Sequence, residues 1–212
     1  MKSLFFKLID LFINKLVKTL TSWKVMELKK ELQELSIINI NSKIYFKSIP
    51  FIKKHPNSIF KIGEGCTILN STNENYAGVS FVTSIVTATN NAKLVLGDNV
   101  GISGCSICCV NEIQIGNNVN LGTGSKIYDT DFHPLDYLER RKNPGFDLDK
   151  ISNAPIIIGN DVWIGSNSII LKGVTLGDRV IVGAGSIVTK SFPADCIIAG
   201  NPAKVIKNML SS

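Results

Sequence analysis

The sequence has few of the residues that metal and nucleotide chemistry most often use. Among 212 residues only His55 and His133 are histidines, so a metal site built from three histidines is excluded. There is no GxxxxGK[ST] pattern and no strand-led GxGxxG, which leaves out the common phosphate-binding loops. The five cysteines follow no secretory leader, so we expect reduced thiols and not a disulfide framework.

Long apolar runs are also missing. The opening stretch MKSLFFKLIDLFINKLVKTL is rich in Leu and Phe, but Lys7, Asp10, Lys15 and Lys18 interrupt it, and no small-residue cleavage site follows. No stretch is long enough to span a bilayer. We therefore expect a cytoplasmic protein, with one possible location at the inner face of the cytoplasmic membrane.

The positive charge is concentrated in the N-terminal segment. Residues 1–61 carry 12 basic and 4 acidic side chains, whereas residues 62–212 carry 11 and 13. Apolar residues recur at helical spacing between the lysines, which predicts one or two amphipathic helices within residues 1–57. Two uses are open for this segment: packing against the rest of the chain or a neighbouring copy, or lying on an anionic membrane. The apolar positions are Leu4, Leu8, Leu11, Phe12, Leu16 and Leu20.

A six-residue repeat dominates the rest of the chain. An aliphatic residue recurs at every sixth position. A small or aliphatic residue lies four positions after it, and a glycine often follows it directly. The same step recurs upstream from Leu96 and from Ile115, and weakly from Ile62. The main series is Ile158, Ile164, Ile170, Leu176, Val182 and Val188.

Short strands joined by tight corners explain a six-residue period, whereas a helix does not. Residues two apart, such as Val162 and Ile164, point to the same side of a strand and build the core. Three strands close a triangular coil of about 18 residues, and the coils stack with parallel pairing. We therefore predict a mainly β protein, a parallel β-helix prism over residues 58–207.

The residue between two inward positions must face outward. The prism stacks Trp163 with Ile181 and Ile169 with Ile187, which leaves apolar rows on its outside. A neighbouring subunit or the N-terminal helix can cover such rows, and a symmetric oligomer is the preferred interpretation. The alternative is that these are scattered surface aliphatics.

The repeat breaks between Ile127 and Ile158. Residues 128–155 are polar and rich in turn formers, so part of them is expected to leave the prism as an excursion loop. Loops on a rigid scaffold commonly carry functional residues, and His133 lies in this one.

The stretch IGNDVWIGSNSIILKGVTLGDRVIVGAGSIVTK and the ending AGNPAKVIK resemble the hexapeptide-repeat acyltransferases of the maltose, galactoside and polysaccharide O-acetyltransferase branch. The resemblance covers roughly residues 90–207. It implies a left-handed β-helix and a homotrimer that binds acetyl-CoA, without a metal, between adjacent prisms. Gamma-class carbonic anhydrases share the prism but need three histidines, and sugar-nucleotide pyrophosphorylases need a large N-terminal nucleotide-binding domain. Neither fits this chain.

The resemblance also implies roles for individual residues of the site. His133, in Asp-Phe-His-Pro, matches the catalytic base, and Trp163 lines the acceptor or pantetheine groove unless it serves only an interface. The main-chain N–H of Ser166 matches the oxyanion donor. Ser103 stands where maltose and galactoside enzymes carry an asparagine that contacts the acceptor sugar, so the acceptor is left open. Asp131, two residues before His133, either orients the imidazole or caps the loop.

The C-terminal coils carry the expected CoA contacts. The small residues would admit the pantetheine arm, and the lysines stand where relatives have arginine or other nucleotide contacts, although each is also explained as a corner residue or a solvated charge. The residues are Gly183, Ala184, Thr189, Lys190, Lys204 and Lys207. The pair Cys105 and Cys108 forms a CxxC, but the repeat places Ser106 and Cys108 inward, so we interpret the thiols as core residues.

These features predict an acetyl-CoA-dependent O-acetyltransferase that acts on a saccharide hydroxyl in polysaccharide biosynthesis, on a surface glycan or its precursor. N-acetylation of an amino sugar or sugar nucleotide is an alternative within the enzymes. A catalytically silent β-helix that serves as an assembly scaffold is the non-enzymatic alternative.

Overall fold

A computed structural model describes residues 2–39, 41–70, 75–79, 81–142, 148 and 151–209. After one long helix, α1 (Lys2–Glu34), the chain winds through short strands that visit three faces in turn as far as Val188. The strands before the 128–155 loop are β1 (Tyr45–Phe46), β2 (Phe51–Lys53), β3 (Ile59–Ile62), β4 (Thr67–Leu69), β5 (Ser84–Thr87), β6 (Lys93–Leu96), β7 (Gly101–Ser103), β8 (Ser106–Cys109), β9 (Glu112–Ile115), β10 (Asn120–Leu121) and β11 (Lys126–Tyr128).

Those after it are β12 (Ile156–Ile158), β13 (Trp163–Ile164), β14 (Ile169–Leu171), β15 (Thr175–Leu176), β16 (Ile181–Val182), β17 (Ile187–Val188), β18 (Cys196–Gly200) and β19 (Ala203–Asn208), and the loop itself contains α2 (Tyr137–Lys142). The first face holds β1, β4, β7, β10, β13, β16 and β18. The second holds β2, β5, β8, β11, β14 and β17, and the third holds β3, β6, β9, β12 and β15. The described strands pair in parallel within each face, and β19 adds an antiparallel edge to β18. The fold is the predicted left-handed β-helix.

The repeat residues form the core as predicted. The six aliphatics from Ile158 to Val188 are at most 2% exposed, and the residues four positions later, such as Ser168 and Val180, are fully buried. Trp163 pairs with Ile181 and Ile169 with Ile187 on adjacent coils, which confirms the predicted stacking.

Hydrogen bonds between side chain and main chain tie the coils together at the corner between the third and first faces. The side-chain oxygen of Asp98 accepts from the N–H of Glu64 at 2.8 Å, and that of Asn117 accepts from Asp98 at 2.8 Å. The same contact joins Asn160 to the N–H of Asn117 at 2.9 Å and Asp178 to that of Asn160 at 2.7 Å. This ladder holds successive coils at a constant spacing.

The predicted excursion is present at the corner between the second and third faces. Ile115 pairs directly with Ile158, so the whole 128–155 loop lies within a single coil. A second insertion, which the sequence analysis did not find, follows β4 at the corner between the first and second faces. There Ile68 pairs with Ile102, and the coil between them is much longer than the regular coil from Trp163 to Ile181.

The predicted orientation of the CxxC residues is wrong. Ile107 and Cys109 point into the core and Cys108 is half-buried, whereas Ser106 and Cys108 were expected inside. The early coils differ in length, because the coil from Ile102 to its partner Leu121 is shorter by one position than the coil from Ile107 to Ile127. Counting six from Ile102 therefore passes the true core position by one residue. Cys105 is also buried, so the core interpretation holds for it, whereas Cys109, which the predicted register directs away from the core, is buried in it.

The N-terminal segment forms one helix and then enters the prism. Strands β1 and β2 already pair into the first and second faces, so coil formation begins before residue 58, the boundary that the sequence suggested. Val25 and Leu28 pack on the core and Leu32 is buried in it, while residues 11–20 are exposed. Over the described residues no helix is both long and apolar enough to cross a membrane.

Candidate functional site

His133 lies near the start of the excursion, on a structured base. Thr130 forms an antiparallel bridge with Asn153, and the N–H of Asp131 donates to the carbonyl of Ser152 at 3.1 Å. His133 itself is exposed. The two bridged segments leave the prism together, and they place the imidazole at the corner between the second and third faces.

The residue before the histidine has an unusual backbone. Phe132 has a φ of 60°, a conformation that costs a bulky residue about 1–3 kcal/mol and persists where its surroundings enforce it. Its N–H donates to Thr130 Oγ1 at 3.2 Å, and its ring meets Tyr128 edge-on at 5.0 Å between centroids. These contacts fix the turn that places His133.

Asp131 has a cationic partner. Its Oδ1 lies 2.9 Å from Lys172 Nζ, and both side chains are less than one-third exposed. Lys172 follows β14 on the next coil, so the ion pair connects the base of the excursion to the prism. The sequence analysis missed Lys172, because nothing in the repeat shows that the returning loop lies beside it. The orienting role of Asp131 toward His133 stays a prediction.

Ser103 and Trp163 share a groove of about 570 Å³ on the first face. Trp163 is 56% exposed at one side of it. The absence of a side chain at Gly101 leaves room in the floor of this groove, since a Cβ there would lie 2.7 Å from Asn120 Oδ1. Thr67 completes the polar lining. An aromatic surface beside hydroxyl and amide groups suits a ligand that has both C–H faces and hydroxyls.

Apart from Ser103, the polar side chains of this groove were not predicted, but a signal for them existed. Thr67, Gly101, Asn120 and Trp163 occupy one row of paired positions across the first face. Each directly precedes a buried aliphatic, as Asn120 precedes Leu121. Reading the whole row, and not Trp163 alone, would have identified Asn120 and Thr67.

Ser166 lies at the corner between the first and second faces. Its carbonyl accepts from the N–H of Gly185 at 2.8 Å, but in the described part of the chain no main-chain hydrogen bond uses its own N–H. A Cβ on Gly122 would come within 2.6 Å of the Ser166 nitrogen, so glycine at this position allows the two main chains to pack closely. The role of the Ser166 N–H as oxyanion donor stays a prediction.

The expected CoA residues fall in three places. Gly183 and Ala184 lie at the same corner as Ser166, Thr189 and Lys190 lie at the His133 corner, and Lys204 and Lys207 lie on β19. Packing also explains why glycine occupies position 183, because a Cβ there would lie 2.9 Å from Ala199 Cβ. The other five side chains are exposed, and Lys190 lies over the ring of Phe192 at 5.6 Å.

The cysteine thiols, including that of the half-buried Cys108, are held in their protonated form. Burial, with a smaller contribution from Asp129, raises the pKa of Cys108 to about 11. Asp129 is fully buried and accepts from the N–H groups of Val110 and Asn111 at 2.8 Å each, so it caps the preceding coil. Among the described residues no group of three or more His, Cys, Asp or Glu side chains is arranged to hold a metal ion.

The site residues thus divide between two corners of one prism. His133 lies at one edge of the second face, and Ser166 lies at the other edge, next to the groove on the first face. Within one chain the second face separates them.

Comparisons with known proteins agree with this architecture. Residues 155–190 match the hexapeptide repeat of succinyl-transferase. The chain is 42% identical over 97 residues to galactoside O-acetyltransferase of Escherichia coli, covering 46% of this chain and 44% of that protein. It is 28% identical over 148 residues to WbbJ of Escherichia coli, whose name assigns it to O-acetyl transfer in lipopolysaccharide biosynthesis, covering 67% and 75% of the two chains.

A solved structure, a mutant of the N-acyltransferase AntD from Bacillus cereus with dTDP and coenzyme A, has a TM-score of 0.59 at 20% identity and covers 86% of this chain and 89% of that one. The chain covers 47% and 44% of the curated relatives that it matches at 41% and 42% identity, and 23% of those that it matches at 55%. The repeat match, the relatives and the three-faced coil agree: the chain contains the hexapeptide repeat and is similar to hexapeptide-repeat acyltransferases.

Proposed function

We propose that this protein is an acetyl-CoA-dependent O-acetyltransferase that acts on a saccharide hydroxyl of a surface glycan or its precursor. The observation that carries the proposal is the placement of His133, on a structured loop base beside a strained turn at a corner of the prism. The saccharide-compatible groove with Trp163 and Ser103 supports it. So does the similarity to a galactoside and a lipopolysaccharide O-acetyltransferase.

In the proposed reaction His133 acts as general base. It takes the proton of the acceptor hydroxyl while that oxygen attacks the thioester carbonyl of acetyl-CoA. The tetrahedral oxyanion accepts a hydrogen bond from the Ser166 N–H, then the carbon–sulfur bond breaks and the CoA thiolate takes the proton from the imidazolium. General-base catalysis is worth about 10² to 10⁴ in rate, and one oxyanion donor about 10² to 10³.

The proposed site lies between two subunits of a homotrimer. His133 and Ser166 lie at opposite edges of the second face, so a site that contains both is complete when a neighbouring prism brings its own corner alongside. The outward row of Trp163 and Ile181 provides partly exposed apolar surface for such a contact.

Acetyl-CoA is proposed to lie along the C-terminal coils. Lys190, Lys204 and Lys207 are exposed charges that can meet its phosphates, and Ala184 and Thr189 are exposed at neighbouring corners. Lysine binds phosphate as a point charge, without the two-pronged geometry of arginine.

The test is a CoA-release assay with acetyl-CoA and a panel of saccharide acceptors. We expect release that requires an acceptor, and His133→Ala should lower kcat by about 10² or more while acetyl-CoA still binds. His55→Gln, which removes the other histidine, serves as the matched control and should keep its activity. Unchanged turnover in His133→Ala would reject the mechanism.

Acceptor chemistry separates O-acetylation from N-acetylation. Turnover of amino sugars, with none of acceptors that have only hydroxyls, would favour N-acetylation. Absence of CoA binding in calorimetry would favour a scaffold.

Mixing tests the shared site. His133→Ala and Trp163→Ala chains, each with little activity alone, should recover activity when co-expressed. When the two chains assemble at random, about a quarter of all shared sites, or about one in three within a mixed trimer, combine an intact His133 with an intact Trp163 from the neighbour. No recovery, in trimers shown to contain both chains, would place the site within one chain.

A further inference from the structure

The N-terminal helix has an apolar stripe that the chain itself leaves exposed. Phe12, Leu16, Leu20 and Trp23 recur at intervals of four, four and three residues, so they lie on one side of α1. Their exposed fractions are 68%, 48%, 50% and 55%. Large apolar side chains arranged contiguously at such exposure mark an interaction surface.

The stripe points away from the prism. The contacts of α1 with the core come from Val25, Leu28 and Leu32, on another side of the helix. At 100° per residue this contact side and the stripe are about 160° apart around the helix. Therefore, when the end of the helix is seated on the first coil, the prism of the same chain cannot cover the stripe.

The charges around the stripe have one sign. Lys15, Lys18 and Lys24 are exposed, and residues 11–26 contain no acidic side chain. Lys15 and Lys24 flank the stripe on its two sides, at about 95° and 85° from its centre, and Lys18 lies nearly opposite. Flanking lysines can extend their ammonium groups to lipid phosphates while the apolar side chains enter the acyl boundary.

We propose that residues 11–26 of α1 bind an anionic membrane surface, with Phe12, Leu16, Leu20 and Trp23 inserted and the lysines at the headgroups. The two aromatic side chains suit the interfacial region. Such a helix lies in the plane of the membrane and does not cross it, which agrees with its interrupting lysines. The proposal does not depend on the catalytic activity of the chain.

The experiment is co-flotation of the full-length protein with vesicles. We expect binding to phosphatidylcholine vesicles that contain about 30% phosphatidylglycerol, weaker binding to phosphatidylcholine alone, and a loss at about 0.5 M salt. Leu16→Glu with Leu20→Glu should lower the vesicle partition coefficient by about tenfold or more. The lysine triple variant K15Q, K18Q and K24Q should lose most of the preference for the anionic vesicles.

The matched control is Val205→Glu with Ile206→Glu. These two aliphatics on β19 are 45% and 66% exposed, comparable to Leu16 and Leu20, and the change in net charge is the same. The control should float like the wild type. If both double variants lose vesicle binding equally, the loss comes from the change in net charge and not from the apolar stripe, and the proposal is overturned.

Fluorescence reports on insertion directly. The chain has two tryptophans, so Trp163→Phe leaves Trp23 as the single reporter. A blue shift of Trp23 emission on adding anionic vesicles supports insertion, and an unchanged spectrum overturns it. If instead the stripe joins copies of this chain, wild type will not float and Leu16→Glu with Leu20→Glu will lower the sedimentation mass without lipid.

Discussion

The coil spacing can be tested at a corner glycine that lies away from the candidate site. In Gly159→Ala the new Cβ would lie 2.5 Å from Asp178 Oδ1 and 2.8 Å from Asp178 N on the next coil. This clash forces the Asp178 carboxylate to move. The movement breaks the hydrogen bond that it accepts from the Asn160 N–H at 2.7 Å. The main chain cannot withdraw, since the N–H of Gly159 donates to the carbonyl of Leu176 at 2.9 Å.

The expected loss follows from these contacts. Overpacking costs about 1–3 kcal/mol, and losing a hydrogen bond to a charged group costs about 1.5–3 kcal/mol. The stiffer unfolded chain returns about 0.4–1 kcal/mol, so the free energy of unfolding should fall by about 2–5 kcal/mol. Urea unfolding followed by circular dichroism measures this loss, at one fixed protein concentration so that the proposed assembly does not affect the comparison.

Gly78→Ala is the control for backbone strain alone. Gly78 has a φ of 77°, and among the described residues no atom lies within 4 Å of the position that a methyl group would take there, so alanine should cost only about 1–2 kcal/mol. If Gly159→Ala is no more destabilising than Gly78→Ala, the close stacking of the coils at this corner is not what holds the prism together.

Three further predictions concern the thiols, the acid stability and the groove. Because its pKa is raised to about 11, only about one Cys108 thiol in 10³ should be deprotonated at pH 8. Iodoacetamide should therefore alkylate the native protein slowly, and rapid labelling would contradict the burial of this side chain. Hydrogen bonds from Arg179 lower the pKa of Asp195, so its stabilisation is present above the unfolded value and is lost as pH falls through the folded one. In Asp195→Asn the free energy of unfolding should therefore fall less steeply below about pH 4 than in the wild type. An unchanged pH dependence would refute a stabilising ion pair between Arg179 and Asp195. Trp163→Ala should lower kcat/KM for the saccharide about tenfold or more with the oligomer intact, whereas dissociation would assign the ring to the interface.

Much of the fold could be predicted because the six-residue period is local. A strand of two or three residues and a tight corner use about six residues whatever lies elsewhere, so the buried column from Ile158 to Val188 is visible in the sequence. The stacking of regular three-strand coils then follows, as in the pairing of Trp163 with Ile181. Where coils change length the period fails, as it did at Cys108.

The groove and the base of the excursion were harder to predict because they depend on contacts between distant parts of the chain. Asn120 and Trp163 are adjacent only because the excursion between them is looped out of the prism. Lys172 reaches Asp131 only because the excursion returns to the corner that it left.

The sequence by itself determined the winding, since the inward aliphatics and corner glycines specify strand and turn through short-range geometry and burial. It also indicated His133 as the candidate base, because Asp-Phe-His-Pro resembles the catalytic motif of the hexapeptide-repeat acyltransferases and lies in the break of the repeat. Only the tertiary structure decided which outward residues share a groove, which charge meets Asp131 and on which side of α1 the apolar stripe lies relative to the prism. Those relations depend on coil lengths summed along the chain, and a one-residue change in any coil shifts every later side chain.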